Sequence, residues 1–139
     1  QKGIPVYAEC GGLMYLTEAI EQKDSQTFQM VGILPGTVKM TEKLQNFGYA
    51  KAVLLQNCFL GTQGESFRGH EFHYSHWDAP ASHFVHEVKG KRGAQNRFEG
   101  YASDSLFASY IHCHFLSYPE RALALIKAAR NRLKLAPMK

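Results

Sequence analysis

Residues Ile4-Pro5-Val6-Tyr7-Ala8-Glu9 form a short apolar run that breaks into Cys10-Gly11-Gly12, and Leu13 to Ile20 follow with helical character. A strand that passes directly into a helix must reverse its backbone sharply. Here the reversal carries a cysteine with glycine behind it, where no Cβ can clash. This is the layout of a nucleophile elbow, with cysteine where a hydrolase carries serine. It predicts a nucleophile strand inside a parallel sheet, with the sulfur pushed out over the strand's C-terminal end. The helix N-terminus behind Cys10 is expected to favour a thiolate, and the Gly11 N–H to face a developing oxyanion. Free cysteine is often just a small buried residue; the flanking glycines and the strand-to-helix switch favour a nucleophile.

A cysteine nucleophile needs a base, which need not be near in sequence. The candidate lies in Leu106-Phe107-Ala108-Ser109-Tyr110-Ile111-His112-Cys113-His114-Phe115. His112 and His114 alternate around Cys113 on a strand-like run, so both face the same way. They could begin a metal site, but no third ligand is placed, and no metal is expected. Between the two regions stands Arg68-Gly69-His70-Glu71-Phe72-His73-Tyr74-Ser75. On a strand His70, His73 and His76 alternate faces and cannot converge on one ion without a bulge.

These strings resemble the glutaminase domain of the cobyrinate a,c-diamide synthase family. The resemblance is carried by Tyr7-Ala8-Glu9-Cys10-Gly11-Gly12-Leu13-Met14-Tyr15-Leu16, then Gly69-His70-Glu71-Phe72-His73-Tyr74-Ser75, then Ala108-Ser109-Tyr110-Ile111-His112-Cys113-His114-Phe115. It runs from about Ile4 to the C-terminal helix, and the middle string is its most specific part. It implies a class I-type glutamine amidotransferase in which Cys10 attacks glutamine, His112 is the base and Gly11 an oxyanion donor. Related amidotransferases carry an orienting carboxylate two residues after the base; that position is His114 here, as in the family resembled. Glu71 and Asp104 are possible substitutes. Glu71, His73, Tyr74 and His114 are expected to support the site or line the glutamine pocket. Cys58 is expected only to pack.

For the whole enzyme the resemblance implies ATP-dependent amidation of the a and c carboxylates of cobyrinic or hydrogenobyrinic acid, in cobalamin biosynthesis. ATP and Mg2+ would belong to an N-terminal synthase domain, and no Gly-x-x-x-x-Gly-Lys-Ser/Thr loop occurs in this sequence. The chain opens on Gln1, directly before the nucleophile strand. It is therefore expected to be the C-terminal portion of a glutaminase domain, lacking its first strand–helix units and the synthase domain, and to form homo-oligomers. Three alternatives stay open. They are amidation of another tetrapyrrole (a cobyric acid synthase or a nickel-tetrapyrrole amidase), a non-catalytic interaction domain, and a different cysteine–histidine hydrolase.

The 139 residues support one domain, and 45% hydrophobic content can fill a core. Net charge is +4, with short basic clusters at Lys89–Arg92 and Lys127–Lys134. These are read as solvated faces rather than nucleic-acid sites, with an anionic corrinoid as the other possible partner. Three cysteines without paired spacing, and no leader, predict reduced thiols in the cytoplasm. No apolar stretch is long enough to span a membrane.

The expected fold class is α/β, a flavodoxin-like parallel sheet of the class I glutaminase type with an antiparallel extension. The elements read as strand Ile4–Glu9, helix Gly11–Gln22, strand Phe28–Leu34 stopped by Pro35-Gly36, and extended chain Thr37–Leu44. Strands Tyr49–Leu55, Glu65–His76, His83–Val88, Phe98–Ala102 and Leu106–Cys113 follow, with a polar turn at Gly90–Asn96. A final helix is signalled by Ser117-x-x-Glu120 with Pro119 in its first turn. Ala122, Leu125, Ile126, Ala129 and Leu133 then recur at helical spacing.

Overall fold

The computed structural model describes residues 3–80, 84–90 and 95–133. Strand β1 (Val6–Glu9) runs into helix α1 (Gly11–Leu16), then β2 (Thr17–Glu21), β3 (Thr27–Gln29), β4 (Leu34–Met40), β5 (Asn46–Leu54), β6 (Ser66–His73) and β7 (Ser75–Asp78). Short strands β8 (His86–Val88), β9 (Arg97–Glu99), β10 (Tyr101–Ala102) and β11 (Leu106–Ser109) precede the long helix α2 (Pro119–Leu133). The start of the expected strand at His83, and residues 91–94 of the expected turn, lie outside the described residues.

Three sheets are formed, in the orders β1-β11-β10, β3-β2-β4-β7 and β6-β5-β8-β9. β1 pairs with β11 in parallel and β2 with β4 in parallel; the other pairings are antiparallel. The fold is thus α/β with parallel pairs and an antiparallel extension, as the sequence predicts.

The helix expected over Gly11–Gln22 stops at Leu16. Thr17 is fully buried, and its hydroxyl donates to the Met14 carbonyl at 2.7 Å, closing the helix end. From there burial alternates, with Thr17 and Ala19 inward and Glu18 outward, which is strand periodicity. Leu13, Leu16 and Ile20 satisfy a helical spacing equally well, and tertiary pairing decides between the two. Likewise Pro35-Gly36 does not end a strand. β4 continues through both residues, and they form a bulge where the register slips between Thr17↔Leu34 and Ala19↔Thr37. The strand expected over Phe28–Leu34 divides accordingly, its ends going to β3 and β4. The strand expected over Glu65–His76 breaks at Tyr74, where the chain crosses from one sheet to the next. Phe98–Ala102 breaks at Gly100, and Leu106–Cys113 narrows to β11 plus an isolated bridge between His112 and His70.

β11 is buried on both faces. Leu106 and Ala108 join Ala8, Leu13, Val38 and Trp77, while Phe107 joins Leu54, Leu60 and Val85. Beyond the strand, Ile111 and Cys113 join Ala52, Phe67 and Val88. In α2, Arg121 is buried with its guanidinium 4.0 Å over the Phe67 ring, and Leu125 packs on the Phe107 cluster. Ile126 and Leu133, on the expected apolar stripe, remain exposed.

One buried polar group links these layers. Glu99 accepts from Ser109 Oγ at 2.7 Å and from the Tyr110 N–H at 2.9 Å, and pairs with His86 Nδ1 at 2.9 Å. Burial pushes its carboxyl up, but those partners outweigh burial and hold it below the usual carboxylate range. A carboxyl depressed on folding contributes stability above the unfolded range, lost as pH falls through the lower folded value. Glu99→Ala should cost about 3–5 kcal/mol, because His86 and two donors lose their partner. Urea denaturation at neutral pH measures this, and the gap from the parent should narrow in acid.

Candidate active site

Cys10 occupies the junction of β1 and α1 with φ +47° and ψ −105°, a region that side-chain-bearing residues rarely adopt. Two backbone bonds hold the turn: Cys10 N–H to Ser109 O at 2.9 Å and Met14 N–H to Cys10 O at 3.0 Å. Such strain persists only where its surroundings over-determine it. Gly12 allows α1 to lie close on β1, since a Cβ there would come within 3.3 Å of the Ala8 Cβ.

The thiol does not follow the expected direction. Burial pushes Cys10 up from its ordinary value; the Gly11 N–H pulls it down, and Glu9 and Glu71 push it up again. A helix of six residues has a weak dipole, and two carboxylates oppose it. The resting sulfur is a protonated thiol that needs a base.

β1 and β11 are neighbours in parallel register, Glu9 opposite Ser109. Cys10 and His112 therefore lie beyond the C-terminal ends of adjacent strands. His112 is held by a two-way backbone bridge to His70, with bonds of 2.8 and 3.0 Å. Its ring is about half exposed and faces Glu9, with Nδ1 to Oε2 at 4.0 Å. His112, His114, Glu9, Arg68 and His70 line a cleft of about 770 Å³. Cys10 packs against the Leu13–Tyr110 cluster rather than forming the wall of that cleft.

Gly69 explains the glycine in the middle string. A Cβ there would lie 2.3 Å from Ile111 Cγ2 and 2.5 Å from the His112 carbonyl oxygen. Only glycine lets β6 approach the histidine-bearing segment this closely.

The expected pocket residues divide between two faces of β6 and the turn after it. Glu71 and His73 are buried on one face, and Tyr74 projects outward with Phe72 and His70. Glu71 Oε2 is bonded by Arg97, and its Oε1 is buried without a hydrogen-bond partner, 3.7 Å from His73 Nε2. His73 also bonds the Ser75 carbonyl at 2.9 Å and stacks on Tyr110 at 4.0 Å. The Tyr110 phenol, pushed up to about 12 chiefly by burial, shares a 2.9 Å bond with Ser75 Oγ. His76 is exposed, so the three histidines stay apart. Asp104 sits beside β11's N-terminal end, by Arg132 and Asn57, away from His112. Cys58 is half-buried against the Phe107 cluster. All three cysteines are unpaired. No three metal-ligating side chains converge among the described residues.

Sequence reasoning overlooks Glu9, Arg97 and Glu99. Glu9 carries a usable signal: on a strand Tyr7 and Glu9 share a face, next to the nucleophile. Arg97 and Glu99 lie in a region with no motif.

A glutamine amidotransferase domain is what this elbow-and-histidine architecture defines, and the comparisons agree. Residues 1–120 match the family model of the CobB/CobQ-like glutamine amidotransferase domain, and the chain belongs to that family. It is 42% identical over 135 residues to a cobyrinate a,c-diamide synthase of Salmonella typhimurium, covering 96% of this chain and 29% of that protein. Cobyrinate a,c-diamide synthases of Listeria innocua and Leptospira interrogans are 39% and 37% identical, over 94% of this chain in each case. The chain thus spans under a third of the length of these relatives.

Two outcomes follow from the geometry. Gly69→Ala should push the His112 segment away and lower glutamine hydrolysis at least tenfold, with β6 still folded by circular dichroism. Alkylation of Cys10 by iodoacetamide, read by peptide mass spectrometry, should rise to its plateau at a higher pH than for a free thiol. Glu71→Gln should move that curve toward lower pH, because one charge opposing the thiolate is gone.

Proposed function

We propose that this chain is the glutaminase part of a glutamine-hydrolysing carbon–nitrogen ligase, which amidates the a and c carboxylates of a cobyrinic acid-type corrinoid. The observation that supports it most is Cys10 in a strained strand-to-helix turn, on the strand beside the one that leads to His112. The relatives' names supply the corrinoid and their length supplies room for the synthase part. ATP and Mg2+ would be held there: the sequence has no phosphate loop and the described residues no metal cluster, so no step here passes through them. With all three cysteines free, we assign the protein to the reducing cytoplasm.

In the reaction His112 takes the Cys10 proton as sulfur attacks the side-chain amide carbonyl of glutamine. The Gly11 N–H faces the sulfur and is placed to receive the oxyanion. Collapse of the tetrahedral adduct breaks the C–N bond; His112 returns the proton to the leaving nitrogen and ammonia departs. Water, deprotonated by His112, then hydrolyses the thioester to glutamate and the free thiol. Glu71, with a buried oxygen lacking a donor, is the group we assign to the glutamine ammonium. His73 supports it at 3.7 Å, and His114 shares the cleft with His112. Tyr74 faces the other way and is assigned to the outer surface rather than the pocket.

In the full-length polypeptide, Cys10→Ala should abolish glutamine-dependent amidation of the corrinoid and leave ammonia-dependent amidation intact. A diazoketone analogue of glutamine should label Cys10 and spare Cys58. Glutamine hydrolysis surviving in Cys10→Ala would overturn the assignment.

A further inference from the structure

The position where related enzymes keep a carboxylate for the base holds His114, yet His112 does not lack an acidic neighbour. Glu9 Oε2 stands 4.0 Å from His112 Nδ1. The other oxygen of the same carboxylate is fixed twice: Oε1 accepts the Tyr7 hydroxyl at 2.5 Å and the Cys113 N–H at 2.6 Å. Burial, then the bond to Glu9, holds the Tyr7 phenol far above its ordinary range, so it stays a donor. Its ring is clamped between Phe107 at 5.6 Å and Phe115 at 5.1 Å. With Oε1 pinned from two sides, Oε2 has little choice of direction. The other candidate carboxylates are committed elsewhere, Glu71 to Arg97 and Asp104 at the far end of β11.

We infer that Glu9 is the positioning residue for His112, a carboxylate supplied from the residue before the nucleophile instead of from the segment after the base. The inference rests on the function proposed above. One carboxylate then does two jobs. Oε1 ties the backbone of the histidine segment to β1 through Cys113, and Oε2 holds the Nδ1–H tautomer, leaving Nε2 free to exchange the proton with Cys10. An acidic group facing one ring nitrogen selects the tautomer that donates to it.

The test uses Glu9→Gln in the full-length polypeptide. The amide oxygen can still accept from Tyr7 and Cys113, so the backbone tie survives. The amide nitrogen can only donate toward His112, which favours the wrong tautomer. Turnover with glutamine should fall about tenfold or more. The loss should be smaller than the roughly ten-thousandfold reported for a buried orienting carboxylate, because this pair is partly solvated. KM for glutamine should stay within about twofold, and the thermal midpoint within about 2 °C. Tyr7→Phe, which frees one side of Oε1, should lower turnover by a smaller factor, again without moving KM.

Turnover of Glu9→Gln within about twofold of the parent, with Cys10→Ala inactive, overturns the inference alone. So does a loss of turnover matched by an equal loss of folded protein in circular dichroism. Hydrolysis surviving in Cys10→Ala overturns the functional reading, and this inference with it.

Discussion

A single buried carboxylate organises the interior. Glu99 reaches across from β9 to take the Ser109 hydroxyl and the Tyr110 N–H, and it holds His86 on its flank. An unpaired carboxylate in this position would be strongly unfavourable; paired three times, it is a rigid joint. The joint lies where β11 ends and the chain turns toward His112, so it sets the direction in which the histidine segment leaves the sheet. Ring edges enclose it: Phe67 and Phe107 stand 5.1 and 5.2 Å from the His86 ring. The polar tie and the apolar packing therefore depend on each other.

Two chain segments far apart in sequence converge on the histidine from opposite sides. Glu9, from β1, takes the Cys113 N–H, and His70, from β6, pairs with the His112 backbone. Gly69 makes the second contact possible by having no side chain. Together with Glu99, these anchors bracket residues 110–113 at nearly every backbone donor. A short non-repetitive segment with this many backbone partners can hold a reactive ring without help from a regular strand.

Much of this was legible in the sequence wherever a residue type carries a narrow physical meaning. Cys10 between Glu9 and Gly11 predicts a strained turn, and the turn is there. Apolar runs such as Leu106–Ala108 predict a buried strand. Reading fails where periodicity is ambiguous. Thr17–Ile20 fits a helix or a strand, and pairing with β3 and β4 chooses the strand. It fails again where a breaker is used differently, as Pro35-Gly36 is absorbed into a bulge. The carboxylates are the harder case. Nothing local distinguishes Glu99 from any polar residue beside a turn, because its partners lie on β8 and β11. Asp104 and Glu71 look equally suited to serve His112 on paper; only topology shows that one is at the wrong end of the strand and the other is bound to Arg97.

The strained elbow and the histidine segment are not placed independently. A residue at φ +47° costs about 1–3 kcal/mol and needs compensation nearby. Part of it is the bond from the Cys10 N–H to the Ser109 carbonyl. The same Ser109 donates its hydroxyl to Glu99 and receives the Ile111 N–H on that oxygen at 2.9 Å. One serine thus joins the nucleophile's backbone, the buried carboxylate and the segment leading to His112. Displacing any of the three transmits through a bond of fixed length to the others. The relative placement of Cys10 and His112 is for this reason a property of the packed interior rather than of two loops at its surface.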